Sequence, residues 1–242
     1  MKLALVTGGH RRLGGHISAR LAKDGWTLAI HGARDVTPDA ALTAVLGDWH
    51  GFVADLSDAD AVAGLLPAVI AHFGAAPSLL VNNASMFEWD DAATATPATI
   101  MAHHAINVHA PVVLTLAMAQ AGAHGSIVNI IDQRVQNPVA DQLGYSLSKA
   151  ALAGMTRTLA VNLAPRLRVN AVAPGLTLPT ADYDVAQMAR IAGAMPLGVL
   201  PRPEDIADAV AFLAGAPAMT GQTLFVDGGA NLKSFDRDFV FM

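Results

Sequence analysis

The stretch Leu3-Ala4-Leu5-Val6-Thr7-Gly8-Gly9-His10-Arg11-Arg12-Leu13-Gly14-Gly15 decides the fold. Residues 3–7 read as a buried strand, and the glycines after them read as a tight turn that opens a helix. Glycine lets the backbone bend sharply and come close to a pyrophosphate, which then rests on the N-terminus of that helix. Such a turn can also be merely structural. Its place between a strand and a helix favours the phosphate reading and makes Gly8, Arg11, Arg12, Leu13 and Gly14 candidate contacts.

Outward from this turn, short apolar runs alternate with longer helical stretches. Strands are expected at 3–7, 27–31, 51–54, 79–82, 127–131, 168–173 and 223–226, and helices near 13–24, 38–46, 58–73, 97–121, 144–164 and 204–214. The strands are rich in Val, Ile and Leu on both faces, as in a parallel sheet covered by helices. The alternation predicts an α/β fold of the doubly wound Rossmann type with right-handed crossovers. No repeat or linker interrupts it, so 1–242 reads as one domain. The stretch 176–203 shows no regularity and carries Pro179, Pro196, Pro201 and Pro203, so it reads as a substrate lid.

Composition narrows the function classes. Of 242 residues 53% are hydrophobic and 14% charged, so much of the chain must be buried in the fold or in subunit contacts. A formal charge of -5 offers no basic patch for nucleic acid or an anionic membrane. There is no cysteine, which excludes disulfides and thiolate chemistry. The longest apolar stretch, 59–81, is broken by Gly64, Pro67, His72, Gly74 and Pro77, and no segment reads as a transmembrane helix. With no signal peptide ahead of the first strand, a soluble cytoplasmic protein is expected. His103, His104 and His109 share a predicted helix but not one face, and no carboxylates accompany them, so no metal site is expected.

Two further stretches carry chemistry. Tyr145 and Lys149 stand four residues apart in Gly144-Tyr145-Ser146-Leu147-Ser148-Lys149, which places both on one face of a helix. An ammonium beside a phenol favours the phenolate, so Lys149 is expected to ease proton transfer by Tyr145. After strand 2 comes His31-Gly32-Ala33-Arg34-Asp35. An acidic residue here would hold the ribose hydroxyls of NAD, whereas Arg34 can pair with a 2′-phosphate, so NADPH is favoured. Asp35 either repels that phosphate or faces water, and His31 is either structural or a phosphate neighbour. Asp55-Leu56, at the end of strand 3, either borders an adenine or caps the helix that follows.

With these residues in view, the chain resembles the short-chain dehydrogenase/reductase family over nearly its whole length. The resemblance rests on Thr7–Gly14, Asp55-Leu56, Asn82-Asn83-Ala84-Ser85, Asn107, Tyr145 with Lys149, Arg168-Val169-Asn170, Pro174-Gly175 and Asp227-Gly228-Gly229. It implies a Rossmann fold with a seven-stranded parallel sheet and a homotetramer. It also implies cofactor contacts from Asn83, Ala84, Ser85, Pro174, Gly175 and Thr177. Two positions depart from the usual pattern: Arg12 replaces a small residue of the glycine turn, and Asp132 stands thirteen residues before Tyr145 where Ser or Thr is usual. Both, with Asn83-Ala84-Ser85-Met86-Phe87, are similar to the pteridine reductase and dihydromonapterin reductase branch. In that branch the aromatic at Phe87 stacks on the pterin and the residue at Ser85 touches cofactor and substrate.

The aspartate has a chemical rationale. A carboxylate would repel the oxyanion that develops when a ketone is reduced. A dihydropterin is reduced at C=N and presents amino and ring N–H donors, which a carboxylate accepts. The expected catalytic set is Asp132, Tyr145, Lys149 and Asn107, with Ser85, Phe87, Asp132 and Tyr145 facing the substrate. Asn107 would anchor a water chain to Lys149, or else simply hold buried backbone. Asp132 would otherwise be a cap and Phe87 a core aromatic. Met86, Met188 and Met195 either line the pocket or fill gaps. The lid's charges, Asp182, Asp184, Arg190 and Arg202, form no basic cluster for a polyglutamate tail, which favours a small pterin over folate. The apolar end of the tail 231–242 is expected to dock, against a neighbouring subunit among other places. The alternatives are a short-chain reductase of another carbonyl or imine, and a non-catalytic dinucleotide sensor.

Overall fold

Alternation along β1 (Leu3–Thr7) sends Leu3 and Leu5 into one apolar cluster and Ala4 and Val6 into another, and all four are at most 1% exposed. A strand buried on both faces belongs inside a parallel sheet. The computed structural model describes residues 2–178 and 183–242. The remaining strands are β2 (Thr27–Gly32), β3 (Trp49–Val53), β4 (Leu79–Asn82), β5 (Gly125–Ile130), β6 (Leu167–Pro174) and β7 (Thr223–Val226). All seven pair in parallel, in the order β3-β2-β1-β4-β5-β6-β7. The order reverses between β1 and β4, and in such sheets ligands bind at the carboxyl ends of the strands at that switch point.

The helices are α1 (Arg12–Lys23), α2 (Ala40–Thr43), α3 (Ala59–Phe73), α4 (Pro97–His104), α5 (Ala110–Gln120), α6 (Leu143–Leu163), α7 (Val185–Ala194) and α8 (Pro203–Gly215). Ile17 and Leu21 of α1 and Ile206, Val210 and Leu213 of α8 cover one face of the sheet. Leu65, Leu66 and Val69 of α3, with Leu114 and Met118 of α5 and Ala160 of α6, cover the other.

Most element edges shift by no more than two residues, and a few larger departures stand out. The helix expected at 38–46 shrinks to Ala40–Thr43, capped by the Asp39 side chain on the Leu42 N–H. The helix expected at 97–121 is interrupted by a wider π-type turn, Ala105–His109. Pro111 lacks the N–H that would bond the Asn107 carbonyl in a regular helix, which accounts for the interruption. The stretch 176–203 is not wholly irregular, because α7 lies within it. Pro179 and Asp182 lie outside the described residues. Finally, Pro97–Gln120 reaches the length and apolar composition of a membrane span, a test that core helices also pass. Its Leu114, Thr115 and Met118 are packed in the core, and 39% of its most apolar window is buried.

The tail folds back onto its own chain. Phe239 is 4% exposed and packs with Ile191, Met195 and Ala230. Gln187 of α7 donates to the Phe239 and Val240 carbonyls at 3.3 and 2.6 Å.

Candidate active site

A cleft of about 550 Å³ opens along the carboxyl ends of the central strands, within the range of small-molecule sites. One end is the glycine turn. Gly8 has φ +62, and a side chain at Gly14 would run into the Gly8 carbonyl, so both positions need glycine. Arg12 also sits in the left-handed region, with φ +51. For a residue with a Cβ that costs about 1–2 kcal/mol, a strain of the kind that collects at functional sites. The turn is strapped from both sides. The Asn83 side chain donates to the Thr7 carbonyl at 2.9 Å, and the Asn83 and Ala84 N–H groups donate to the Thr7 hydroxyl.

Gly8, Arg11, Arg12, Leu13, Gly14, His31, Asp55, Leu56, Asn83, Ala84, Ser85, Pro174, Gly175 and Thr177 all border the cleft. Arg34 does not, although its charge reaches Asp55 at the rim. His31 is committed to the fold. Its Nδ1 accepts the Gly8 N–H at 3.2 Å, which leaves Nε2–H to donate to the Ala54 carbonyl at 2.8 Å. Burial lowers its pKa, in keeping with a neutral ring. Asp55 caps the Ser57 turn at 2.9 Å, while α3 itself is capped by Asp58. Hydrogen bonds from the Ser57 backbone and hydroxyl hold the Asp55 carboxyl below the usual range.

At the other end Tyr145 and Lys149 rise from the first turns of α6, 8% and 3% exposed. The Tyr145 hydroxyl donates to Asp132 Oδ2 at 3.0 Å, and Asp132 Oδ1 accepts the Arg134 N–H at 2.8 Å. Asp132 therefore fills both proposed places at once, cap and partner of the tyrosine. Lys149 Nζ donates to the Ile130 carbonyl at 2.9 Å and lies 5.5 Å from the centre of the Tyr145 ring. The net direction at Tyr145 is upward. Burial pushes the phenol well above its ordinary 10, and Asp132 adds to this by charge and hydrogen bond, against an opposing pull from Arg134. Desolvation of a buried phenolate is the largest cause. The same burial lowers Lys149 from 10.5 to about 8.

Phe87 is 46% exposed and meets the Tyr145 ring edge-on at 4.9 Å, so it is a wall of the cleft and not a core residue. Asn107 stands behind that wall, 1% exposed and outside the lining. Its side chain accepts the Met86 N–H at 2.7 Å and donates to the Met86 carbonyl and the Ser148 hydroxyl. It holds the segment that carries Ser85 and Phe87 against α6, and its amide is directed there and not at Lys149. Met86, Met188 and Met195 do not line the cleft.

Several lining residues were not singled out in the sequence: His10, Trp89, Gln133, Arg134, Tyr183 and Phe239 among them. Trp89 had a signal, two residues beyond Phe87 on an extended stretch, and the two rings lie 5.8 Å apart. Phe239 had none, since nothing local says that the tail returns to the cleft.

A family model described as enoyl-(acyl carrier protein) reductase matches residues 9–231. A (3R)-3-hydroxyacyl-CoA dehydrogenase from Canis lupus familiaris is 35% identical, covering 94% of this chain and 95% of its own. The chain belongs to the short-chain dehydrogenase/reductase family. As a short-chain dehydrogenase/reductase it is an NAD(P)-dependent oxidoreductase. Solved members superimpose closely. FolM alternative dihydrofolate reductase 1 from Brucella suis, in complex with NADP, has a TM-score of 0.86 at 37% identity, covering 96% of this chain and 95% of its own. A short-chain dehydrogenase/reductase from Serratia marcescens has a TM-score of 0.86 at 30% identity, covering 95% and 98%.

Proposed function

We propose that this short-chain dehydrogenase/reductase uses NADPH to reduce the C=N bond of a dihydropterin or a dihydrofolate-like compound. The observation that carries the reading is the Asp132 carboxylate, hydrogen-bonded to the Tyr145 hydroxyl at 3.0 Å beside the exposed Phe87 ring. The pair offers acceptors to a heterocycle's N–H groups, a proton donor for its ring nitrogen and an aromatic face for its plane. The likeness to an alternative dihydrofolate reductase supports this choice.

The cleft suits a phosphorylated dinucleotide. The N-cap of α1, Arg11, makes no side-chain cap, so the first N–H groups of that helix are available to an anion. His10 lines this end at 4% exposure, and its buried Nδ1 has no hydrogen-bond partner among the described residues. Arg11, Arg12 and Arg34 would meet a 2′-phosphate, Asp55 and Leu56 the adenine, and the segment 174–177 the carboxamide. NADPH bound there supplies the hydride. Tyr145, kept neutral by its burial, gives its proton to the substrate nitrogen. Asp132 orients that hydroxyl and accepts the substrate's N–H groups. Lys149 holds the nicotinamide ribose, and Asn107 steadies the Ser85–Phe87 wall. Residues 176–203 serve as the lid over the substrate.

A homotetramer fits the surface. Met101, Val108, Val112 and Met155 form an apolar hollow between α4, α5 and α6, with Met101 66% exposed, and a second copy would cover it. The reading is tested by NADPH oxidation with dihydrobiopterin, dihydromonapterin and dihydrofolate, beside ketones and ketoacyl thioesters. Turnover of pterins with little on ketones is expected. Ketone turnover with inert pterins would favour the second reading, reduction of another carbonyl, to which the hydroxyacyl-CoA dehydrogenase relative points. Cofactor binding without turnover on any substrate would leave a dinucleotide sensor.

A further inference from the structure

We propose that Asp238, on the C-terminal tail, is a positioning residue for the reaction: through Arg134 it keeps the Asp132 carboxylate on the Tyr145 hydroxyl. The inference rests on Tyr145 being the proton donor.

Asp238 is 1% exposed, a rare place for a carboxylate unless it is paired. Its Oδ2 forms an ion pair with Arg134 Nη2 at 2.5 Å, without the alignment of a hydrogen bond, and its Oδ1 accepts the Val240 N–H at 3.0 Å and the Tyr183 hydroxyl at 3.4 Å. The tail around it is tied down. The Asp238 N–H donates to Asp141 Oδ2 at 2.8 Å, and Arg237 bonds Asp141 at 2.9 Å. An arrangement of this kind fixes one carboxylate at one point in the site.

Arg134 stands between that carboxylate and the reacting pair. Its side chain is 13% exposed, and its Nε lies 3.9 Å from Asp132 Oδ1. Its guanidinium also donates to the Gln142 side chain. Gln142 is fully buried and holds a left-handed backbone, φ 61, directly before α6. Strain at a buried residue persists only where its surroundings demand it. Here the Gln142 N–H donates to the Asp90 carbonyl at 2.7 Å, and its side-chain oxygen meets Arg134.

The function of a second carboxylate follows from the geometry of the guanidinium fork. A buried Arg facing a single carboxylate draws it into a two-pronged pair. With Asp132 as its only anion, Arg134 would pull both carboxylate oxygens towards itself and away from Tyr145. Asp238 occupies the other side of the fork, so Asp132 Oδ2 stays free to accept from the tyrosine. The charges that face Tyr145 come from three elements: Asp132 and Arg134 from the segment after β5, Lys149 from α6, and Asp238 from the tail. Removing the Asp238 charge takes away one of the two carboxylates that offset Arg134, which favours the phenolate.

The chain has two tyrosines, so in a Tyr183→Phe background a 13C-tyrosine NMR titration reads Tyr145 alone and needs neither cofactor nor substrate. In that background Asp238→Asn should move Tyr145 ionisation to lower pH. In the otherwise native enzyme it should lower kcat roughly 10- to 100-fold, the scale of a small misplacement at a reacting centre, with much less change in KM. Asp238→Glu should recover part of the loss. Arg134→Gln combined with Asp238→Asn should fall no further than the worse single variant, as expected for residues that act as one unit. An unchanged Tyr145 titration would overturn the proposal. So would a loss confined to KM or to the folded fraction seen by circular dichroism. If Asp238→Asn does not fold, Arg134→Gln is read instead: kcat should fall with much less change in KM, and Tyr145 ionisation should move to higher pH because the guanidinium's pull is lost. Tyr145→Phe run alongside keeps the two ideas apart: retained activity there removes the donor reading, while the titration tests the Asp238 link by itself.

Discussion

Under the proposed dihydropterin reduction, Asp132→Ser should turn a site that accepts N–H donors into one suited to a carbonyl. In the native chain Asp132 Oδ1 takes the Arg134 N–H at 2.8 Å and Oδ2 takes the Tyr145 hydroxyl at 3.0 Å, with the side chain 19% exposed. Serine is a good cap, so the turn Gln133–Val135 should survive and the protein should fold. What is lost is the charged acceptor for Tyr145 and for a substrate N–H. Hydrogen bonds to charged groups contribute about 1.5–3 kcal/mol each, so kcat/KM for a dihydropterin should fall about 10- to 150-fold for one such bond. A ketone no longer meets a fixed negative charge, so its kcat/KM should rise. The assay is NADPH oxidation with dihydrobiopterin and a ketone in parallel, with a thermal melt as a folding control. Because Asp132 raises the Tyr145 pKa, the fall in rate at high pH should also begin earlier in the variant. A pterin kcat/KM within about threefold of the native value, with no gain on ketones, would refute the chemical reasoning from the carboxylate.

Three further expectations concern neighbouring residues. Tyr145→Phe should lower kcat roughly 10²- to 10⁴-fold while NADPH binding, followed by fluorescence, stays near the native value; near-complete activity would be fatal to the scheme. Lys149 has its pKa lowered from 10.5 to about 8 by burial, so between those values the unfolded chain binds more protons and stability of the cofactor-free protein should rise with pH. Lys149→Met should remove that dependence and, below pH 8, melt no lower than the native protein, since the buried ammonium there opposes folding by roughly 3 kcal/mol; a native melting curve flat from pH 8 to 10 would contradict this. Arg34→Asp should raise the KM for NADPH about tenfold or more and leave that for NADH little changed, measured with either cofactor on one substrate; equal effects on both would remove Arg34 from the phosphate contact.

Much of the fold was legible because its signals are local. Leu3–Thr7, Leu79–Asn82 and Thr223–Val226 are apolar runs of strand length, and the sequence placed all three at their observed bounds. The Gly8 turn is dictated by a positive φ, and the spacing of Tyr145 and Lys149 needs only the period of a helix. The short α2 and the interrupted helix at Ala105–His109 were less legible, because propensity does not register a carbonyl freed by a proline four residues on.

The composition of the site and its electrostatics belong to the tertiary structure. Residue types gave Asp132, Tyr145, Lys149 and Phe87. Only the assembled chain brings Phe239 back to the cleft, turns Asn107 onto Met86, and sets Arg134 between Asp132 and the buried Asp238. The direction of the Tyr145 shift follows from the same cause. A neighbouring lysine can be read from spacing, but desolvation depends on what surrounds the phenol, and those groups come from the segment after β5, the Phe87 wall and the tail. Sequence specified which groups could react, and tertiary packing decided which of them are dry, paired and aimed.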